Sequence, residues 1–315
     1  MKLVTYLDGQ QPRAGVWNDA IIFDIATLLK RNAQQPFSLL DFLRLGTGAM
    51  DDLRAAIATA ENSGPATRPT ELTSLLSPIA EPPSVRDFYA FEQHVKAARA
   101  RRNVGMIPEW YQFPVFYFSN PAAIQGPEAE VPYPADSQEL DFELEVACII
   151  GKTGHDISAA EAPDYIAGYL VMNDWSARDL QREEMKMNLG PAKGKDFATS
   201  LGPWLVTPDE LSDRRIGSGA DERYDLAMLG RINGQSISHG NFKDLYFTFP
   251  QMIERAARHV TLKPGDIIGS GTVGTGCILE LGTETHRWLL PGDVVEMEIE
   301  RLGTLRNRIT GEVQR

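Results

Sequence analysis

Leu140-Asp141-Phe142-Glu143-Leu144-Glu145-Val146-Ala147-Cys148-Ile149-Ile150 is the stretch whose reading decides the fold class. Alternate side chains of a β-strand share a face. A strand here sends Asp141, Glu143 and Glu145 one way and Phe142, Leu144 and Val146 the other. The apolar run ending at Ile150 carries that strand into a core. Two carboxylates on one face beside buried strand repel each other, and two readings are open. A divalent cation relieves the repulsion, since hard ions such as Mg2+ and Ca2+ prefer carboxylate oxygen. Otherwise the face is solvated, where alternating acids are ordinary.

Further strands are expected at Leu3 to Leu7, Ala20 to Ile25, Val115 to Phe118, Gly168 to Asn173, Trp204 to Thr207, Leu226 to Ile232, Ile267 to Thr272 and Val294 to Ile299. Helices are expected over Ser38 to Leu45, Ala49 to Ala60, Asp87 to Ala100 and Phe249 to Ala257. The pattern is an α+β, β-rich chain. It divides into a small N-terminal α+β unit (1–70), a Pro-punctuated linker (71–84) and a larger strand-rich unit (85–315). Leu262-Lys263-Pro264-Gly265-Asp266-Ile267-Ile268 is echoed by Leu289-Leu290-Pro291-Gly292-Asp293-Val294-Val295. Each Pro-Gly sets a tight turn before an apolar strand, and the echo predicts neighbouring strands of one antiparallel sheet or barrel.

The 315 residues hold 31 Lys and Arg against 43 Asp and Glu, a net charge of −12. Nucleic acid and anionic membranes demand basic surface, so neither is an expected partner. Cys148 and Cys277 lie far apart in apolar surroundings and read as buried thiols of a reducing compartment. The first residues lack a long apolar segment, and no run approaches the ~18 residues of a membrane span. A cytoplasmic protein is expected.

Four more stretches carry chemistry-bearing residues. Asn173-Asp174-Trp175-Ser176-Ala177-Arg178-Asp179-Leu180-Gln181 follows a strand and puts Asp174 at a strand end, where scaffolds place functional groups. Arg86-Asp87-Phe88-Tyr89-Ala90-Phe91-Glu92-Gln93-His94 separates Asp87 from one of only five histidines by two turns of a helix. Gly190 to Trp204 is glycine-rich with Lys193 and Lys195 but lacks the P-loop spacing. Ser270 to Cys277 is a run of small residues that lets backbone approach a ligand.

In this order, the Asp-Phe-Tyr…His, Glu-Leu-Glu, Asn-Asp-Trp-Ser-Ala-Arg-Asp-x-Gln, Gly-Lys-x-Phe and Pro-Gly-Asp-Val-Val strings resemble the fumarylacetoacetate hydrolase family over about residues 80 to 310. The resemblance implies a mixed β-roll or barrel-like catalytic core behind a smaller N-terminal domain, and commonly a homodimer. It implies Mg2+, Mn2+ or Ca2+ held by Asp87, Glu143, Glu145 and Asp174, with Lys195 and Thr199 near the metal. It implies His94 as general base, Glu280 as the acid orienting it, and Lys195, Arg178 and Gln181 on the oxyanion or the substrate carboxylate. Tyr89 and Thr272 match substrate contacts. The activity implied is hydrolysis of a C–C bond in a diketo acid such as an acylpyruvate or fumarylacetoacetate, as in aromatic-compound catabolism. The same fold also supports isomerases, decarboxylases and sugar-acid dehydratases, and a non-catalytic metal-bound binding protein is a further alternative. Asn120 stands where many members carry a lysine before the proline. Ala97 to Pro108, with Arg99, Arg101 and Arg102, reads as an ordered lid in preference to a solvated basic face.

Overall fold

The Leu144–Ile150 strand is buried along its whole length. Its alternation divides two cores rather than a core and solvent. Leu144, Val146, Cys148 and Ile150 pack into the larger hydrophobic core. Ala147 and Ile149 pack with Leu170, Met172, Leu201 and residues of the N-terminal helices in a second core. Each of the Leu, Val, Ile and Met side chains among them, moved out of water, contributes roughly 1.5–3 kcal/mol. A strand sandwiched this way must be apolar on both faces, which is why the sequence runs apolar to Ile150.

The computed structural model describes residues 1–19, 21–32, 35–63, 67–69, 75–101 and 103–312. Among them, one large sheet runs in the order Thr67–Pro69, Ile21–Asp24, Gln11–Asn18, Lys2–Asp8, Thr199–Val206, Ile166–Asp174, Leu144–Ile150, Ile267–Gly269, Val85–Phe88 and Phe116–Ser119. The N-terminal strands join it directly, because Lys2 and Leu3 pair with Val206 and Leu205. A second sheet orders Gln235–Asn241, Ala227–Ile232, Val294–Ile299, Gly303–Thr310 and Glu130–Pro132. The fold is α+β and β-rich as expected. The described strands form open sheets, not a closed barrel.

Several elements differ from expectation. Asp87 does not lie on a helix: Val85–Phe88 is a strand, and the helix spans Glu92–Arg101. Val85–Phe88 pairs in parallel with Ile267–Gly269 and antiparallel with Phe116–Ser119. Those distant partners override the local helical pattern. The strand read through Asp141 breaks at Phe142 and Glu143, between Leu140–Asp141 and Leu144–Ile150. The strand expected to reach Thr272 stops at Gly269. Ile25 opens a short helix capped by Asp24 rather than ending a strand; Ala20 lies outside the described residues, as do linker residues 71–74 and Arg102.

The Pro-Gly-Asp echo also misleads. Both turns form, and in each the aspartate accepts a backbone N–H from three residues back: Lys263 to Asp266 at 2.7 Å and Leu290 to Asp293 at 2.8 Å. The strands that follow enter different sheets. The repeated string encodes a local turn, and the sheet is chosen by the strands' long-range partners. No helix among the described residues is long and apolar enough to cross a membrane.

Candidate active site

Three strands and the break before one of them bring the acids together. Asp87 comes from Val85–Phe88, Glu145 from Leu144–Ile150, Asp174 from the end of Ile166–Asp174, and Glu143 from the break before Leu144. All four are buried, and they offer one carboxylate oxygen apiece within 4.8 Å of one another. Asp141 does not join them. It accepts from the backbone N–H of Ile278 at 2.8 Å and Leu279 at 3.0 Å, and pairs with Arg178.

Two buried cations face the cluster. Lys195 Nζ lies 2.5 Å from both Glu143 Oε2 and Asp174 Oδ2. It arrives there because Gly194 lets the loop touch the helix that follows Arg178: a Cβ on Gly194 would sit 2.7 Å from the Gln181 nitrogen. Arg178 Nη2 lies 2.7 Å from Glu143 Oε1, its Nε donates to Asp141, and its Nη1 donates to Gln181 Oε1 at 3.1 Å. Nε and Nη1 thus hydrogen-bond to protein, while Nη2 meets Glu143 as an ion pair without a hydrogen bond. Gln181 is left with its amide nitrogen to donate elsewhere.

The backbone adds a donor at the cluster's far side. Gly271 N–H lies 3.1 Å from both Asp87 Oδ1 and Glu145 Oε2. Its φ of +76° and a would-be Cβ contact of 2.4 Å with the Phe88 carbonyl admit only glycine there. Two acceptors remain without a donor, Glu145 Oε1 and Asp174 Oδ1. Burying such atoms unpaired is costly. An all-oxygen donor set with two orphaned oxygens fits a hard divalent cation. The charge fits as well: with all four carboxylates ionised, Lys195 and Arg178, the latter shared with Asp141, leave at least two negative charges for an ion to offset.

The titration pattern follows from these neighbours. Burial, then the charge of Asp174, pushes Asp87 well above the ordinary carboxylate range. Burial, then Asp87, does the same to Glu145. Burial also raises Asp174 against the pull of Lys195. Burial opposes charge on Glu143 too, but Lys195 and then Arg178 outweigh it and hold that acid below its usual value. Lys195 is driven upward despite burial, by Asp174 and then Glu143.

The histidine pair stands beside the acids. His94 is buried in the Glu92–Arg101 helix, and its Nδ1 lies 2.8 Å from Glu280 Oε2. The Thr275 N–H fixes the other Glu280 oxygen at 2.8 Å. Tyr89 stacks edge-on to the His94 ring at 5.6 Å. Thr272 and Thr199 are buried, and Thr199 pairs across the sheet with Asp174. Arg101 closes over this corner, its Nη2 donating to the Leu281 carbonyl at 2.8 Å. Asn120 is tied to backbone, donating to the Asp196 carbonyl at 2.9 Å and accepting from Ala122 N–H at 3.0 Å.

Sequence reasoning missed Tyr117. Its hydroxyl donates to Asp174 Oδ2 at 2.6 Å, and burial with Asp174 nearby raises its pKa well above the usual phenol value. The signal was available only after Val85–Phe88 is read as a strand, since Tyr117 is the direct cross-strand partner of Asp87. Cys277, assigned only to a buried core, lies against His94 and Glu280.

The fold and this cluster define a class: a β-rich α+β scaffold with an oxygen-rich candidate metal site and a buried histidine–glutamate pair. Comparison with known proteins gives it a family. The fumarylacetoacetate (FAA) hydrolase C-terminal domain profile matches residues 84–310. A mitochondrial oxaloacetate tautomerase of Xenopus laevis is 30% identical over 98% of this chain and 90% of its own length. The 2,4-didehydro-3-deoxy-L-rhamnonate hydrolase of Sphingomonas sp. (strain SKA58) is 34% identical over 62% of this chain; the match spans 65% of that relative, under two thirds of its length. The crystal structure of maleylpyruvate hydrolase from Sphingobium sp. SYK-6 in complex with manganese(II) ion and pyruvate superposes with a TM-score of 0.72 at 26% identity, covering 100% of both chains. This chain belongs to the fumarylacetoacetate hydrolase family, whose members bind small-molecule substrates.

Proposed function

We propose that this protein is a divalent-metal-dependent hydrolase that cleaves a C–C bond in a diketo acid of the acylpyruvate or fumarylacetoacetate kind. The observation that carries the reading is the buried His94–Glu280 pair beside four clustered carboxylates. Asp87, Glu143, Glu145 and Asp174 would hold Mg2+, Mn2+ or Ca2+. When bound, the ion supplies a Lewis acid that polarises a substrate carbonyl.

The remaining steps belong to the chain. Glu280 engages His94 Nδ1 and so leaves Nε2 as the basic nitrogen. Nε2 takes a proton from water, and the hydroxide attacks the carbonyl far from the carboxylate. The bond to the adjacent carbon breaks, and its electron pair passes into the enolate of the departing oxo acid, a 2-oxo acid from an acylpyruvate and a 3-oxo acid from a fumarylacetoacetate. Lys195 and the Gln181 amide stabilise developing negative charge. Arg178 holds Glu143 and Gln181 in place. Protonation of the enolate carbon by His94 completes the balance. A homodimer in the cytoplasm is part of this reading.

A second reading is keto–enol tautomerisation of a 2-oxo diacid. The tautomerase relative favours it, because that match spans nearly the whole chain. One assay separates the two. A diketo-acid panel with fumarylacetoacetate, acylpyruvates and enol-oxaloacetate is followed by near-ultraviolet absorbance, with Mg2+ and then with EDTA. Metal-dependent loss with two product fragments is expected. Loss on oxaloacetate alone, without fragments, selects the tautomerase. Wild-type turnover by His94→Ala would sink both.

A further inference from the structure

The mechanism uses His94 and Glu280 but has no task for the thiol beside them. A ring nitrogen of His94, the Cys277 sulfur and a carboxylate oxygen of Glu280 lie within 4.8 Å of one another, and all three residues are buried. Cys277 is completely inaccessible and directly precedes the short Ile278–Leu281 helix that carries Glu280. None of the three belongs to the carboxylate cluster. We propose that His94, Cys277 and Glu280 form a second metal site, selective for a thiophilic divalent ion such as Zn2+.

The donor chemistry sorts metals between the two groups. Nitrogen, sulfur and oxygen from three residues, with a fourth position left for water, is a donor set that Zn2+ accepts. Mg2+ and Ca2+ prefer the four carboxylates and avoid thiolate. Thr275 N–H holds Glu280 through Oε1, so Oε2 is the oxygen facing His94 and available to an ion. Bonds of about 2.0–2.3 Å place tetrahedral ligands roughly 3.3–3.8 Å apart. The 2.8 Å His94–Glu280 contact therefore opens by less than an ångström, and the wider separations, at most 4.8 Å, close by up to about 1–1.5 Å.

Protons balance simply. The ion displaces the Cys277 thiol proton, which leaves to solvent, while the proton His94 carries at Nδ1 moves to Nε2, so the imidazole binds the ion in its neutral form. Burial, then Asp141, keeps the thiol protonated until an ion arrives. An ion seated there ties up the histidine and the acid that orients it. Zn2+ would then inhibit the Mg2+-loaded enzyme by disabling its base. That consequence rests on the proposed function; the binding itself does not.

The test is a Co2+ titration of reduced, Mg2+-saturated protein, read by absorption. The wild type is expected to develop four-coordinate visible bands and a near-ultraviolet thiolate-to-Co2+ charge-transfer band, both abolished by Zn2+. Cys277→Ser should lose the charge-transfer band, while Cys148→Ser keeps it. Losing a ligand should weaken Co2+ binding beyond the roughly 10–100-fold cost of losing an outer-shell partner. Cys277→Ser should keep Mg2+-dependent turnover and lose its sensitivity to Zn2+. Should Cys277→Ser not fold, Cys277→Ala and His94→Gln take its place, each expected to lose the high-affinity bands. A wild type without the charge-transfer band, or an unchanged band in Cys277→Ser, overturns the site. Zn2+ inhibition without the band would mean displacement at the carboxylates, and overturns it equally. A Cys277-dependent band in a protein that turns over no substrate would leave the site standing and remove only the proposed function.

Discussion

Lys195→Met tests the electrostatic construction of the acid cluster. The substitution keeps most of the side-chain volume and removes one positive charge 2.5 Å from both Glu143 and Asp174. At an effective dielectric of about 20, each such contact is an attraction of roughly 7 kcal/mol. Desolvation of the lysine offsets most of it. Breaking a buried pair from one side costs about 3–5 kcal/mol, because the partner charges are left behind. That loss is expected in the metal-free protein, where Arg178 alone then faces four acids. A divalent ion changes the outcome. The cluster's balance falls from two negative charges to three, and its ligands no longer compete with an ammonium group. Mg2+ should therefore stabilise the variant more than the wild type. The assay is denaturant unfolding of both proteins in EDTA and in a Mg2+ series. Equal destabilisation with and without saturating Mg2+ would refute the reasoning, as would no loss in EDTA. Turnover should fall as well, since Lys195 is the proposed oxyanion partner, but the stability result does not depend on turnover.

Glu280→Gln removes the acid that orients His94 and should lower kcat by about 10²–10⁴-fold, the range of general-base effects; Mg2+ affinity measured calorimetrically should not change. Metal-free stability should fall as pH rises above the ordinary carboxylate range, because Asp87 and Glu145 have raised folded-state values and the native state binds more protons than the unfolded chain. Mg2+ should remove that slope and bind more tightly at higher pH, with proton release visible in buffers of different ionisation enthalpy; a pH-independent affinity would contradict it. Arg13→Met should cost about 3–5 kcal/mol by stranding buried Asp24, which Arg13 grips at 2.7 and 2.9 Å. Burial opposes charge on Asp24, but Arg13 and then Thr27 hold it down at about 2 against 3.8, so its contribution of about 2 kcal/mol is present above pH 3.8 and lost as pH falls through 2; acid unfolding of wild type and variant should converge there.

Legibility in the sequence tracked how local each feature is. Glu143 and Glu145 were readable because strand alternation and the apolar run to Ile150 are written in eleven consecutive residues. The break at Phe142 was not, since it follows from Asp141 turning to Arg178 and to the Ile278 and Leu279 amides. Val85–Phe88 lacks any local mark of a strand; its pairing with Ile267–Gly269 is set by residues far along the chain. Some misses did carry a signal. Asn233 and Gly234 both have positive φ, at 51° and 79°, and Asn-Gly between Ala227–Ile232 and Gln235–Asn241 is a strong hairpin cue. The family strings pointed to Asp87 and His94 without giving their backbone. The partners Tyr117 and Cys277 came into view only with the three-dimensional arrangement.

The arrangement also explains why one family can contain a hydrolase and a tautomerase. Strands buried on both faces and the Gly271 N–H give Asp87, Glu145 and Asp174 little freedom, and two cations hold Glu143. The base dyad hangs on different elements, a helix and a loop-borne helical turn. A shift of His94 relative to the acids would change which proton it meets, that of a water or that of a substrate carbon, while leaving every acid in place. Under the proposed function, reaction type would depend on the His94–Glu280–Arg101 corner rather than on the carboxylates. Substitutions at Arg101, which ties that corner to the Leu281 carbonyl, should alter the ratio of hydrolysis to tautomerisation more than they alter metal affinity.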